Sequence, residues 1–173
     1  MAGTNPLPPK PSSAGSFLVA KPKLKDPIFG QSVVLMLQHS FEGAYGLVVN
    51  RPAKVENMPF PVFIGGPCES QGLLMLHGHA EWVDPSSESG REVAPGIFLG
   101  DASCIERVQA SPDDKRYRMI AGYAGWGPGQ LEGEIADGAW VIVPASGQVL
   151  FETPVEDLWS VVLPVMIPQP SLN

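Results

Sequence analysis

Short apolar runs, each closed by turn residues, dominate the chain. Residues 32–39 centre on Val33, Val34, Leu35, Met36 and Leu37, and residues 44–50 are rich in Val and Leu. Runs of this length spell buried strands, since a helix would need a longer periodic segment. Between them Ser40, Phe41, Glu42 and Gly43 form a hairpin-length loop with glycine at its end. Residues 72–77, 96–100, 117–124 and 139–143 carry the same signature. Residues 148–151 follow Ser146-Gly147 closely enough to suggest the second arm of a hairpin with 139–143.

Three segments switch to helical spacing. Asp101 is an N-cap for 102–110, where Ile105 and Val108 share a face and Pro112 lies just beyond. Residues 128–137 open on Pro128, carry Leu131 and Ile135 at i, i+4, and meet Gly138 as a stop. Thr153-Pro154-Val155-Glu156 spells a capping box, followed by the apolar positions Leu158, Trp159 and Val162 and ended by Pro164. Strands outnumber helices and neighbouring strands look hairpin-joined. The expected class is therefore α+β with a mainly antiparallel sheet, rather than an alternating α/β fold.

Composition sharpens this picture. Gly and Pro contribute 19 each in 173 residues. Nine of those 38 fall before residue 16 or after residue 163. Residues 1–15, with Pro6, Pro8, Pro9 and Pro11, read as a disordered tail, and 164–173 as a proline-containing C-terminal tail. A single domain over 16–163 is expected between them. No apolar segment approaches the ~20 residues of a membrane-spanning helix, and the N-terminus lacks the apolar stretch of a signal peptide. Cys68 and Cys104 show no metal-type spacing. The expected location is the cytoplasm, with both thiols reduced.

Charge is unevenly placed. The net charge is −7, yet residues 1–25 hold four Lys and no acid, while 119–173 hold six acids and no Lys or Arg. Lys21, Lys23 and Lys25 alternate, as on one side of an extended segment, either as an anion-binding edge or as a guarded strand edge. Only Lys115, Arg116 and Arg118 cluster, beside Asp113 and Asp114. Direct nucleic-acid binding, which depends on a basic surface, is not expected.

Several uncommon blocks occur in order: Phe17-Leu18-Val19-Ala20, Asp26-Pro27-Ile28-Phe29, Ser32-Val33-Val34 with His39, and Gly43-Ala44. They continue with Gly46-Leu47-Val48-Val49-Asn50-Arg51-Pro52, Gly65-Gly66-Pro67, Leu74 to His77, Gly122-Tyr123-Ala124-Gly125-Trp126, Gly129-Gln130-Leu131-Glu132 and Trp140. Together they resemble the bacterial YqgE/AlgH family over residues 16–163. The resemblance implies a bifurcated β-sheet that includes a small closed barrel, flanked by a few helices. It implies no assigned reaction, cofactor or catalytic residue, although one family member is labelled a transcriptional regulator of alginate production. Two departures stand out: a short stretch between Pro52 and Gly65, where relatives carry a longer helix-bearing segment, and a short tail after Trp159.

Candidate chemistry is sparse. Gly125, Trp126, Gly127, Gly129 and Gln130 sit at a strand-to-helix junction, where exposed amides favour an anion. Neither phosphate-loop nor dinucleotide spelling is met: Pro128 and Gly129 follow Gly127, and Glu132 stands where a glycine would be required. The alternative is a tight turn packed by Tyr123 and Trp126. Asn50 and Arg51 end a strand; Arg51 either clamps a carboxylate or phosphate, or pairs with a local acid. His77-Gly78-His79 could offer two metal ligands on one strand face, but three or four must converge, so no metal is expected and a buried, hydrogen-bonded His77 is. Cys68 beside His39 or His77 would make a nucleophilic pair, yet no hydrolase signature surrounds it. No cofactor is expected. The leading functional expectation is a non-catalytic module for a small anion or a protein. The alternatives are indirect transcriptional regulation, or an enzyme of unknown reaction in which His39, His77 and Arg51 converge.

Overall fold

The computed structural model describes residues 12–84 and 90–164. Residues 1–11 and 165–173, which hold most of both expected tails, lie outside the described residues. Among the described residues nine strands form one sheet: β1 (Ser16–Ala20), β2 (Val33–Ser40), β3 (Gly43–Val48), β4 (Val62–Ile64), β5 (Cys68–His77), β6 (Glu92–Ala94), β7 (Ile97–Gly100), β8 (Tyr117–Trp126) and β9 (Trp140–Pro144). Four helices accompany them: α1 (Ala102–Ala110), α2 (Gln130–Ala136), α3 (Gly147–Glu152) and α4 (Leu158–Val162). The longest has nine residues, and no helix among the described residues is long and apolar enough to cross a membrane.

The strand order is β6-β7-β5-β8-β3-β2-β1-β9, antiparallel throughout, with β4 paired to β8 in parallel off this path. Strands β1 and β2 read as unbroken apolar runs because both of their faces are covered. Phe17, Val19, Val33 and Leu35 enter the main core with Leu47, Ile120, Leu150 and Leu158. Leu18, Ala20, Val34 and Met36 face the other way, toward Trp126, Trp140 and Leu131 of α2. A third cluster forms where α1 lays Cys104 and Val108 on Met75 and Met119.

Strand β8 is the hub, and its two halves have different partners. Its first half lies between β5 and β4, and its end pairs with Ala44–Gly46 of β3. The chain after β3 turns to follow β4 instead, with Ile64 N–H donating to the Arg51 carbonyl at 2.9 Å and Ala53 N–H to the Val62 carbonyl at 2.8 Å. Gly122 sits where the partners change, at φ +78, and a Cβ there would stand 2.8 Å from the Cys68 carbonyl oxygen. That backbone shape and that clearance both require glycine.

Three expectations are corrected. The sheet is not closed into a barrel: its end strands, β6 and β9, do not pair. A helix start fills the gap, with a single backbone bond from Gly147 N–H to the Pro95 carbonyl at 2.8 Å. Residues 148–151 are the body of α3, not a strand. Ser146 Oγ accepts from Val149 N–H at 3.2 Å, so the dipeptide that suggested a hairpin turn is a helix cap followed by a first-turn glycine. The remaining helices stand near their expected places. Asp101 Oδ1 caps α1 by accepting from Ser103 and Cys104 N–H at 3.0 and 3.3 Å. Thr153 does not cap the last helix; α4 grows out of a 3-10 turn over Val155–Asp157.

Candidate functional site

The strand end after β3 forms a polar corner. Asn50 is its fastener: Oδ1 accepts from Val33 N–H at 2.9 Å and Nδ2 donates to the Gln31 carbonyl at 3.0 Å. This holds Gln31 in a left-handed conformation, φ +59. Beside it lies a cavity of about 240 Å³ lined by Gln31, Arg51, Val155, Glu156, Trp159 and Ser160. Trp159 is fixed there by Nε1–H donating to the Ala20 carbonyl at 2.7 Å. Arg51 is half-buried, and its guanidinium makes no hydrogen bond or ion pair with the described residues. The local acid that could have neutralised it is not bonded to it.

The glycine-rich turn is different: its polar side chains are bonded to one another. Gly127 N–H donates to Gln130 Oε1 at 3.0 Å. Gln130 Nε2 donates to Glu134 Oε2 at 3.0 Å, and Glu134 Oε1 accepts from Trp126 Nε1–H at 3.2 Å and Trp140 Nε1–H at 3.0 Å. Phe29 packs on both indoles, at 6.2 and 5.7 Å between ring centroids. Gly129 is the left-handed residue before α2, φ +75. Around it, the Gln130 N–H donates to the Gly127 carbonyl and the Gly133 N–H to the Gly129 carbonyl, both at 3.1 Å. Lys23 Nζ donates to the Asp137 carbonyl at the far end of α2, so this lysine neutralises a helix C-terminus.

On the inner face of the sheet Gly125 and Trp126 border a cleft of about 560 Å³ with Leu37, Tyr45, Leu74, Cys68 and Tyr123. Tyr45 and Tyr123 meet edge to face at 6.3 Å. Ser70 Oγ accepts from Gly122 N–H at 2.9 Å and donates to the Gly72 carbonyl at 2.8 Å. Among the described residues no charged side chain lines this cleft.

The three residues of the enzyme alternative occupy three separate neighbourhoods. His39 belongs to a buried contact with the start of the described chain. Its Nδ1 accepts from Ser13 N–H at 3.0 Å, with Ser13 Oγ at 2.9 Å, and its Nε2 meets a carboxylate oxygen of Glu132 on α2. The backbone donor on Nδ1 assigns the proton to Nε2. His77 is buried among Trp82, Phe98 and His79, and its Nδ1 accepts from His79 N–H at 3.1 Å. Burial, followed by the nearby His79, lowers its pKa from 6.5 to about 4. His79 is spoken for by carboxylates, Nε2 lying 2.6 Å from Asp114 and Nδ1 3.1 Å from Glu81. Arg51 stands at the polar corner described above. Cys68 is a free thiol on the cleft, and Cys104 is buried on the inner side of α1.

The basic trio does not form a patch. Arg118 is buried, with Nη2 donating to the Leu150 carbonyl at 3.1 Å and its guanidinium 5.0 Å from the Phe63 ring. Burial lowers its pKa. Arg116 Nη2 donates to the Gly78 carbonyl at 2.7 Å.

Sequence reading gave Glu134, Ser13 and Trp159 none of the bonding roles they have in the fold. Glu134 had a local signal, four residues after Gln130 and so on the same helix face. The partners of Ser13 and Trp159 lie 26 and 139 residues away, and no local pattern encodes them.

Comparison with known proteins adds the relatives. The family model described as AlgH-like (DUF179) matches residues 17–171. A UPF0301 protein of Xanthomonas campestris is 36% identical over 163 residues, covering 84% of this chain and 85% of its own. One of Chlamydia abortus is 33% identical over 162 residues, covering 86% and 84%. The solution structure of the AlgH protein from Pseudomonas aeruginosa aligns with TM-score 0.66 at 27% identity, over 93% of this chain and 90% of that one. A crystal structure from Corynebacterium diphtheriae aligns with TM-score 0.72 at 26% identity, over 96% and 92%.

Proposed function

The chain belongs to the AlgH-like family, and on that footing we propose that it is a non-catalytic binding protein whose polar corner takes a small anion. The observation that carries this reading is Arg51, a half-buried cation on a cavity of about 240 Å³ with no acidic partner among the described residues. A guanidinium offers a planar fork of donors that matches a carboxylate or phosphate. Asn50 acts as the positioning residue, because it ties the Gln31 turn to the strand end that bears Arg51. The cavity lies below the ~300 Å³ at which drug-sized pockets begin, so the ligand is small.

Gly127, Gly129 and Gln130 contribute by holding the strand-to-helix turn. His77 contributes as a buried ring that stays neutral at pH 7. Enzymatic use of His39, His77 and Arg51 together draws no support, since each has a different set of neighbours. A regulatory role would act through a ligand or a protein rather than DNA, given a net charge of −7 and a buried Arg118. The same proposal sets the protein in the cytoplasm, where the free thiols Cys68 and Cys104 would stay reduced.

A second reading has its own observation. Tyr123, Leu73 and Ile64 are exposed apolar residues near the cleft around Cys68, which suits an apolar side chain of a protein partner.

Titration of acetate and inorganic phosphate into the ¹⁵N-labelled full chain tests the first reading. Amide shifts centred on Gln31, Asn50 and Arg51, and lost in Arg51→Ala, are the expected result. Shifts centred on Gly127 and Gln130 would transfer the site to the glycine-rich turn. No shift at either place would end the anion reading.

A further inference from the structure

The polar corner carries a second charge. Glu156, on the 3-10 turn before α4, lines the same cavity as Arg51. The Glu156 side chain is exposed and, like the Arg51 guanidinium, makes no hydrogen bond or ion pair with the described residues; the two do not pair with each other. Opposite charges sharing one small cavity normally close on each other when their side chains can meet, because the Coulomb attraction rises steeply at short range. Here each is held on a different rigid element. Arg51 sits on a strand end whose carbonyl accepts from Ile64 N–H, and Glu156 on a turn closed by Asp157 N–H donating to the Pro154 carbonyl. The same cavity is lined by Val155 and by Trp159, which its bond to the Ala20 carbonyl keeps in place.

We propose that this corner binds a small zwitterion, an α-amino acid, with its carboxylate on Arg51 and its ammonium on Glu156. A simple anion would satisfy Arg51 and leave Glu156 facing it, a like-charge contact that costs affinity. A simple cation would meet the reverse penalty. A molecule carrying both charges a few ångströms apart satisfies both side chains, and a short aliphatic side chain would lie against Val155 and Trp159. The volume sets the scale: about 240 Å³ accommodates a metabolite of a few heavy atoms and excludes a nucleotide.

This inference rests on the anion reading of Arg51, and its test separates the two. L-Alanine, L-leucine, acetate and N-acetyl-L-alanine are titrated into the ¹⁵N-labelled full chain while the Gln31, Asn50 and Arg51 amides and the Trp159 indole are followed. One of the free amino acids should bind about tenfold tighter than acetate or the N-acetyl compound, the value of one charge-assisted contact. Glu156→Gln should erase that advantage and leave acetate binding unchanged or improved. Arg51→Ala should abolish binding of all four. Acetate and N-acetyl-L-alanine binding as tightly as both amino acids, with Arg51 required, would overturn the zwitterion and leave the anion site standing. An amino-acid advantage that survives Glu156→Gln would overturn it equally. Loss of every response in the unaltered chain would overturn both readings. Glu156 is solvent-exposed, so its substitution does not put the fold at risk.

Discussion

The glycine-rich turn and the Arg51 corner looked alike as candidate anion sites, and the molecule treats them in opposite ways. At the turn the polar side chains have internal partners: the Gly127 amide bonds to Gln130, Gln130 to Glu134, and Glu134 to two indoles. At the corner the strongest polar group, the Arg51 guanidinium, has none among the described residues. The first arrangement spends its polar groups on holding β8, β9 and α2 together. The second withholds one. Residue type and spacing advertise donors; whether a donor is available depends on what the fold has already bonded to it.

The sharpest way to break this comparison is to cut the knot at Glu134. Glu134→Leu removes the acceptor of two indoles that are 7% and 2% exposed and of the Gln130 amide. We expect a loss of about 4 kcal/mol in urea unfolding, from several charge-assisted bonds lost together. A loss under ~1 kcal/mol would mean that the turn is not a structural knot.

Acid loads a third place and leaves both regions alone. His77 has its folded pKa lowered from 6.5 to about 4 by burial, so below pH 6.5 the unfolded chain binds a proton that the folded chain refuses. Stability from this ring is complete above about pH 6.5 and falls as pH drops toward 4, by about 3 kcal/mol in all. Unfolding free energies across that window should show the slope, and His77→Phe should flatten it.

Asn50→Ala tests the corner's frame. Two hydrogen bonds to backbone groups disappear, for an expected cost of about 2 kcal/mol by thermal unfolding and weaker acetate binding. Unchanged acetate binding would free Arg51 from its supposed fastener.

Arg51→Ala should be the mildest for stability, within about 0.5 kcal/mol, because no bond to the described residues is lost. Acetate binding should nevertheless vanish. A destabilisation of ~2 kcal/mol would reveal a structural role and erase the contrast with Glu134.

Much of this was legible along the chain. The strands with two covered faces, the Asp101 cap and the β2–β3 hairpin rest on local signals, and the ordered blocks pointed to the family that residues 17–171 match. Two local signals and one resemblance misled. Thr153-Pro154-Val155-Glu156 spells a capping box, yet no side chain caps the last helix. Ser146-Gly147 can begin a hairpin turn or cap a helix, and the approach of the Gly96 backbone to Gly147 accompanies the helix. The closed barrel came from resemblance, and the actual gap between β6 and β9 is a matter of which ends meet.

The sequence by itself determined the class of fold, the family, and the short roster of side chains able to do chemistry, because those follow from periodicity, turn spelling and residue type. Only the tertiary structure decided which of them are already used. It brought the indoles of Trp126 and Trp140 from two strands onto Glu134, and it brought Trp159 to Ala20 across 139 residues. It also set Arg51 and Glu156 on one cavity without joining them. Hydrogen bonds and charges act over a few ångströms in space, and separation along the chain says little about that distance.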